Sequence, residues 1–216
     1  MRVGRDNNRK TTALTLVEVL VIIGVIGVLF ALFMPSLTIC KERAPRIMCV
    51  NNLKQIGLAF RIFATDHHEK FPMEIEVRDG GTKELTSFGV VVPHFVVLSN
   101  ELSVTKLLVC PTDTRTAVAN FTELRDGNIS YFVGLDASQT NTQSVVSGDR
   151  NITNGLSDNA RILFLATNSP VGWTKQMHNH SGDIVFGDGH VDQLSDNRLR
   201  EQVLHSGLAT NRLAIP

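Results

Sequence analysis

The stretch KTTALTLVEVLVIIGVIGVLFALFMP, Lys10 to Pro35, decides the fold. From Val19 to Cys40 there is no acidic or basic residue, and only Ser36 and Thr38 carry hydroxyls. An apolar run of about eighteen residues or more is long enough to cross a bilayer as a helix. One carboxylate, Glu18, stands at the mouth of this run. A charge there is costly unless it is paired, and no lysine or arginine follows within helical reach. Glu18 therefore calls for a partner outside its own next turns.

The segment before the run is basic. Residues 1–13 hold Arg2, Arg5, Arg9 and Lys10 against Asp6, leaving 17 basic and 20 acidic residues in the remainder. A short basic segment before an apolar run stays on the cytoplasmic side, which places the rest of the chain across the membrane. With 21 residues of each sign overall, no chain-wide basic field argues for nucleic acid. A secretory signal peptide would need a small-x-small cleavage site, and FMPSLTIC supplies none. A lipoprotein signal would need a small residue before its cysteine, where Ile39 precedes Cys40. A plain anchor leaves Glu18 unexplained. A cut between Ala13 and Leu14 explains it, because the new amino terminus and Glu18 become opposite charges at one helix end. In staggered copies, the amine of one subunit neutralises the Glu18 of its neighbour and fixes axial register.

The segment TTALTLVEVLVIIGVIGVL resembles the N-terminal cleavage and methylation segment of type IV pilins and type II secretion pseudopilins. The resemblance implies cleavage between Ala13 and Leu14 by the prepilin peptidase/N-methyltransferase, with Glu18 at the family's fifth mature position. Pro35 falls where the family carries a helix-loosening proline. Two positions depart from the pattern: Ala13 where glycine is usual, and Leu14 where phenylalanine is commonest.

Beyond Pro35 the pattern stays helical. Cys49, Leu53, Ile56, Phe60 and Phe63 recur at steps of four and three, with Asn51, Asn52, Lys54, Arg61 and Thr65 opposite. A spine helix over 14–66 would be roughly 80 Å long, with a membrane half at about 18–39 and an amphipathic half beyond it. The segments CVNNLKQIGLAFRIFATDHHEKFP (49–72) and LVCPTDTR (108–115) resemble pseudopilins with the prepilin-associated H-x9-DG signature, of the planctomycete and verrucomicrobial type. Cys49 and Cys110, both in the exported part, are either bridged or two buried thiols. Adjacent His67 and His68 read as a solvated helix end.

After Pro72 the helical period ceases. FGVVVPHFVVL, KLLVC, SYFVGL, SVVSG and RILFLA have strand length and β-branched or aromatic content. SDNRLREQVLHSG reads as a closing helix, capped at Ser195 or Asp196 and stopped at Gly207. In MHNHSGDIVFGDGHVDQL, residues 177–194, the turn residues Gly187, Asp188 and Gly189 separate two strands of a hairpin. His178, nine residues and Asp188-Gly189 match H-x9-DG. Two readings stay open. One is a polar clasp from His178 to Asp188 or the turn amides; the other is a metal site drawn from His178, His180, Asp183, Asp188 and His190. Histidine donors suit zinc or copper and carboxylates suit calcium, and major secretion pseudopilins bind calcium in a C-terminal loop. Trp173 reads as a packing residue.

The expected fold class is α+β, pilin-like: a basic leader over 1–13, the spine over 14–66, and a periplasmic antiparallel β-rich domain over 67–216 packed on the spine. The resemblance implies a structural subunit in the inner membrane, single-pass, that joins a type II secretion pseudopilus or related fibre. Its partners would be copies of itself, the peptidase and the secretion or pilus assembly machinery. Alternatives are a minor type IV pilin in adhesion or DNA uptake, and a single-pass periplasmic metal-binding protein. No nucleophile elbow, phosphate loop or C-x-x-C pair suggests an enzyme, and no cofactor is called for beyond calcium or another metal at the histidine cluster.

Overall fold

A computed structural model describes residues 15–155 and 161–216, and for 32–43 the backbone alone. Two compact units divide the chain, Met1–Arg43 and Ala44–Pro216. Helix α1 spans Leu16–Asp66. Its stripe is buried as the spacing predicts: Cys49, Leu53, Ile56, Phe60 and Phe63 are all 4% exposed or less. The second half of α1 is core of the second unit, because that unit buries its apolar stripe.

The second unit is α+β. Among the described residues, short helices α2 (Val92–Val96), α3 (Ser99–Leu102) and α4 (Asp196–His205) accompany eight strands. These are β1 (Tyr131–Gly134), β2 (Val145–Asp149), β3 (Ile152–Thr153), β4 (Ile162–Ala166), β5 (Gly172–Trp173), β6 (Ser181–Phe186), β7 (Val191–Ser195) and β8 (Thr210–Ala214). Six form an antiparallel sheet in the order β4-β8-β1-β2-β6-β7, and β3 pairs with β5.

Alternation along the strands builds two cores, because successive side chains point to opposite faces. Tyr131, Val133, Val146, Val185 and Ala214 join the α1 stripe, Phe71, Phe95 and Leu98 in one. Phe132, Ile184, Phe186 and Leu213 join Trp173, Leu199 of α4 and Val203 in the other. Where α1 meets β6 the contact is close. A Cβ on Gly57 would collide with the Val185 Cγ2 methyl, so only glycine lets this helix lie against the sheet.

Three expected strands form as SYFVGL, SVVSG and RILFLA, and so does the closing helix, with Ser195 at its N-cap and Gly207 at φ +75 after its end. Two do not. FGVVVPHFVVL contains α2, with Pro93 in its first turn, where a missing N–H costs nothing. Its apolar residues Val91, Phe95 and Leu98 are buried, continued by Leu102 of α3, a four-three-four spacing that belongs to helical turns, and His94 of α2 is buried beside them. KLLVC starts as a 3-10 turn over Thr105–Leu108, burying Thr105 and Leu108 three apart. Strand β8, unforeseen, lies between β4 and β1. Its polar residues hid it, but they are paired there: Arg212 Nε lies 2.9 Å from Asp136 Oδ1, and Asn211 Nδ2 donates to Ser206 Oγ at 3.1 Å.

Candidate functional site

At the start of α1, Thr15 and Glu18 make a reciprocal pair. The Thr15 N–H donates to Glu18 Oε2 at 2.8 Å, and the Glu18 N–H donates to Thr15 Oγ1 at 3.3 Å. This is a capping box, which satisfies two backbone donors that a helix start leaves free. Thr-x-x-Glu was the signal for it in the sequence. Glu18 thus has a local partner within one chain in addition to any it finds in another copy. The twelve large apolar side chains between Leu16 and Phe30 are exposed on every side, from 46% at Ile26 to 80% at Leu16. Among the described residues no helix is long and apolar enough to cross a membrane. The expected span, 18–39, runs into 32–43, and the expected cut at Ala13 and Leu14, like the Pro35 side chain, lies outside the described residues.

The H-x9-DG segment forms its hairpin, β6 to β7, with Gly189 at φ +87 in the turn. The His178–Asp188 clasp does not form. Asp188 Oδ1 instead accepts from the His190 N–H at 3.0 Å and pairs with His190 Nδ1. The His190 ring stacks on Phe186, and Arg61 Nη1 of α1 donates to the Asp188 carbonyl at 2.8 Å. Burial opposes ionisation of Asp188, but the His190 hydrogen bonds outweigh it and hold the carboxyl below its ordinary range. The turn is closed by its own residues and tied to the helix.

His178 serves a different place. It sits in a loop where Met177, Asn179 and His180 all have positive φ, a conformation that non-glycine residues adopt only under strong local constraint. Asn151 supplies much of that constraint, its Nδ2 lying 3.0 Å from the Gln176 carbonyl and 3.1 Å from that of Ser181. His180 turns away to the Trp173 carbonyl, 3.1 Å from its Nδ1. His178 Nε2 lies 3.3 Å from Asp149 Oδ2 and 3.5 Å from Cys110 Sγ. Cys110 is bridged to Cys49 of α1, with Cα atoms 5.1 Å apart.

Asp149, at the end of β2, and Asp183, in β6, are both fully buried. The Asp183 N–H donates to Asp149 Oδ2 at 2.8 Å, which brings the two carboxylates together. Burial, then the neighbouring Asp183 charge, pushes the Asp149 carboxyl well above its ordinary range, and burial raises Asp183 as well. Burial, with the Arg46 charge, pushes His178 down to about 4, so at neutral pH its ring is uncharged. Above the cluster, Arg150 holds Asp113 in a two-pronged pair at 2.8 Å for each contact.

Of the metal candidates named from sequence, His178 and Asp183 come together, and with Asp149 rather than with Asp188 or His190. Asp149 and Arg46 were missed. A carboxylate ending a wholly buried strand, SVVSGD, was the available signal for Asp149, but only the sheet register shows that it meets His178. In comparison with known proteins, no family model, no curated protein and no solved structure matches the chain.

Proposed function

We propose that the chain is a pseudopilin-like structural subunit, not an enzyme. It is cut between Ala13 and Leu14 by a prepilin peptidase, held in the inner membrane by its first helix, and assembled into a type II secretion pseudopilus or related fibre. The observation that carries this proposal is the apolar surface from Leu16 to Phe30, exposed all round the helix with Glu18 alone in its first turn. A surface of that kind needs cover from lipid or from copies of the same segment. The resemblance of residues 11–29 to prepilin segments and the α+β unit that follows support the same reading. The capping box refines what Glu18 does. It fixes the helix start in each copy, while the carboxylate, the one acidic group in the sequence from Leu14 to Cys40, serves a neighbour's amino terminus.

Variants at Glu18 separate these duties. Glu18→Gln keeps the capping geometry and removes the charge, and Glu18→Ala removes both. Cross-linking of the membrane-embedded chain, followed by shearing and recovery of fibres, should show assembly lost in both variants with membrane insertion intact. Fibres at the wild-type yield from Glu18→Gln would reduce Glu18 to a helix cap and remove the charge pairing from the proposal.

A further inference from the structure

Several oxygens of the second unit are buried without a close hydrogen-bond partner among the described residues, and three of them lie together: Asp149 Oδ1 and both carboxylate oxygens of Asp183, which only the Gln193 side chain approaches. Each such acceptor left dry costs free energy, and a bare carboxylate costs most. The two side chains are 0% exposed, so bulk water does not satisfy them. Beside them stands His178, 7% exposed, with a neutral ring that offers a lone pair on one nitrogen. The Arg46 charge acts on all three groups, yet its own Nε is buried and unpartnered, so it does not cap these oxygens through that atom.

The geometry points to a zinc-class divalent cation site formed by Asp149, His178 and Asp183. Their ligand atoms lie within 4.8 Å of one another. The 3.3 Å between His178 Nε2 and Asp149 Oδ2 is long for a hydrogen bond to nitrogen. It equals the edge of a tetrahedral shell, about 3.3 Å for metal–ligand bonds near 2.0–2.1 Å. Asp183 closes on the same centre by moving in by about 1.5 Å or less. One imidazole and two carboxylates make a mixed donor set that suits a borderline ion better than calcium, which prefers all-oxygen shells of six or more. The second trio that includes His178, with Cys49 and Cys110, is closed to a metal because both sulfurs are bonded to each other. The carboxylates of β2 and β6 and the loop of His178 come from three places in the chain, so a bound ion joins the strained loop to the sheet.

The test uses the full chain purified in detergent, stripped with a chelator and re-equilibrated with zinc sulfate. One zinc per chain should survive gel filtration, and the melting temperature should rise with zinc concentration, as linkage requires. Asp183→Asn should retain no zinc and show no such rise, while Asp188→Asn and His190→Gln should bind as wild type does. Because Asp183→Asn could also alter folding, wild type is loaded in parallel with cobalt(II). Visible d–d bands of tetrahedral intensity that zinc abolishes are expected. Zinc-free wild type after filtration, together with an absence of cobalt bands, overturns the site. Equal retention by Asp183→Asn does so as well. A melting temperature that rises on acidification and ignores zinc would assign the pair to a shared proton and also overturn it.

Discussion

Breaking the Cys49–Cys110 bridge should cost more stability than any single contact in the second unit. The bridge joins α1 to the segment before β1 across 61 residues. Closing a loop of that length in the unfolded chain removes entropy worth about 4 kcal/mol. In a chain of this size each kcal/mol corresponds to about 2–4 °C, so the double variant Cys49→Ala with Cys110→Ala should melt roughly 8–16 °C below wild type. Alanine is preferred to serine because both cysteines are 0% exposed and a hydroxyl there would be stranded. Thermal melts by circular dichroism on the detergent-solubilised chain measure the shift. Reductant should act on wild type only through opening of the fold, slowly, and should leave the variant unchanged. A double variant within about 2 °C of wild type would refute the bridge as a constraint on the unfolded chain.

Two further outcomes follow from packing and burial. Gly57→Ala should destabilise by about 1–3 kcal/mol through overpacking, because its Cβ meets Val185. Pairing it with Val185→Ala should recover part of the loss in urea titrations, and additive losses would place the strain elsewhere. His94 is buried, with Nδ1 2.7 Å from Thr82 Oγ1, and burial pushes it down to about 4. The unfolded chain binds this proton below about 6.5, and the folded chain only near 4, so its contribution is full above that window and lost as pH falls through it. Between pH 4.5 and 6 the wild-type stability should fall more steeply on acidification than that of His94→Gln, by up to about 1.4 kcal/mol per pH unit. Parallel slopes would contradict the buried neutral ring.

Much of this architecture was legible from periodicity alone. The α1 stripe from Cys49 to Phe63, the β6–β7 hairpin and α4 each carry their own pattern and their own turn or stop residue. The errors arose where hydrophobicity masked the period. The valine-rich FGVVVPHFVVL looks like a strand until Pro93 and the spacing of Val91, Phe95 and Leu98 are weighed together. Strand β8 failed for the opposite reason, since it opens on polar Thr210, Asn211 and Arg212, of which Asn211 is satisfied by Ser206 and Arg212 by Asp136.

The candidate site was half legible. His178 and Asp183 stood out as ligand types in one short segment, but their partner Asp149 comes from another strand. Only the antiparallel register that sets Gly148 opposite Ile184 brings Asp149 to that place. The clasp expected between His178 and Asp188 failed because the turn satisfies itself. Asp188 finds His190 two residues away, at a far smaller entropic cost than a reach across nine.

The central claim, a processed fibre subunit, rests on the first helix, and the N-terminal sequence with intact mass of the membrane-extracted protein tests it most directly. The proposal predicts a chain that begins at an N-methylated Leu14, lacking residues 1–13. A chain that begins at Met1, or one cut after Ser36, would contradict it.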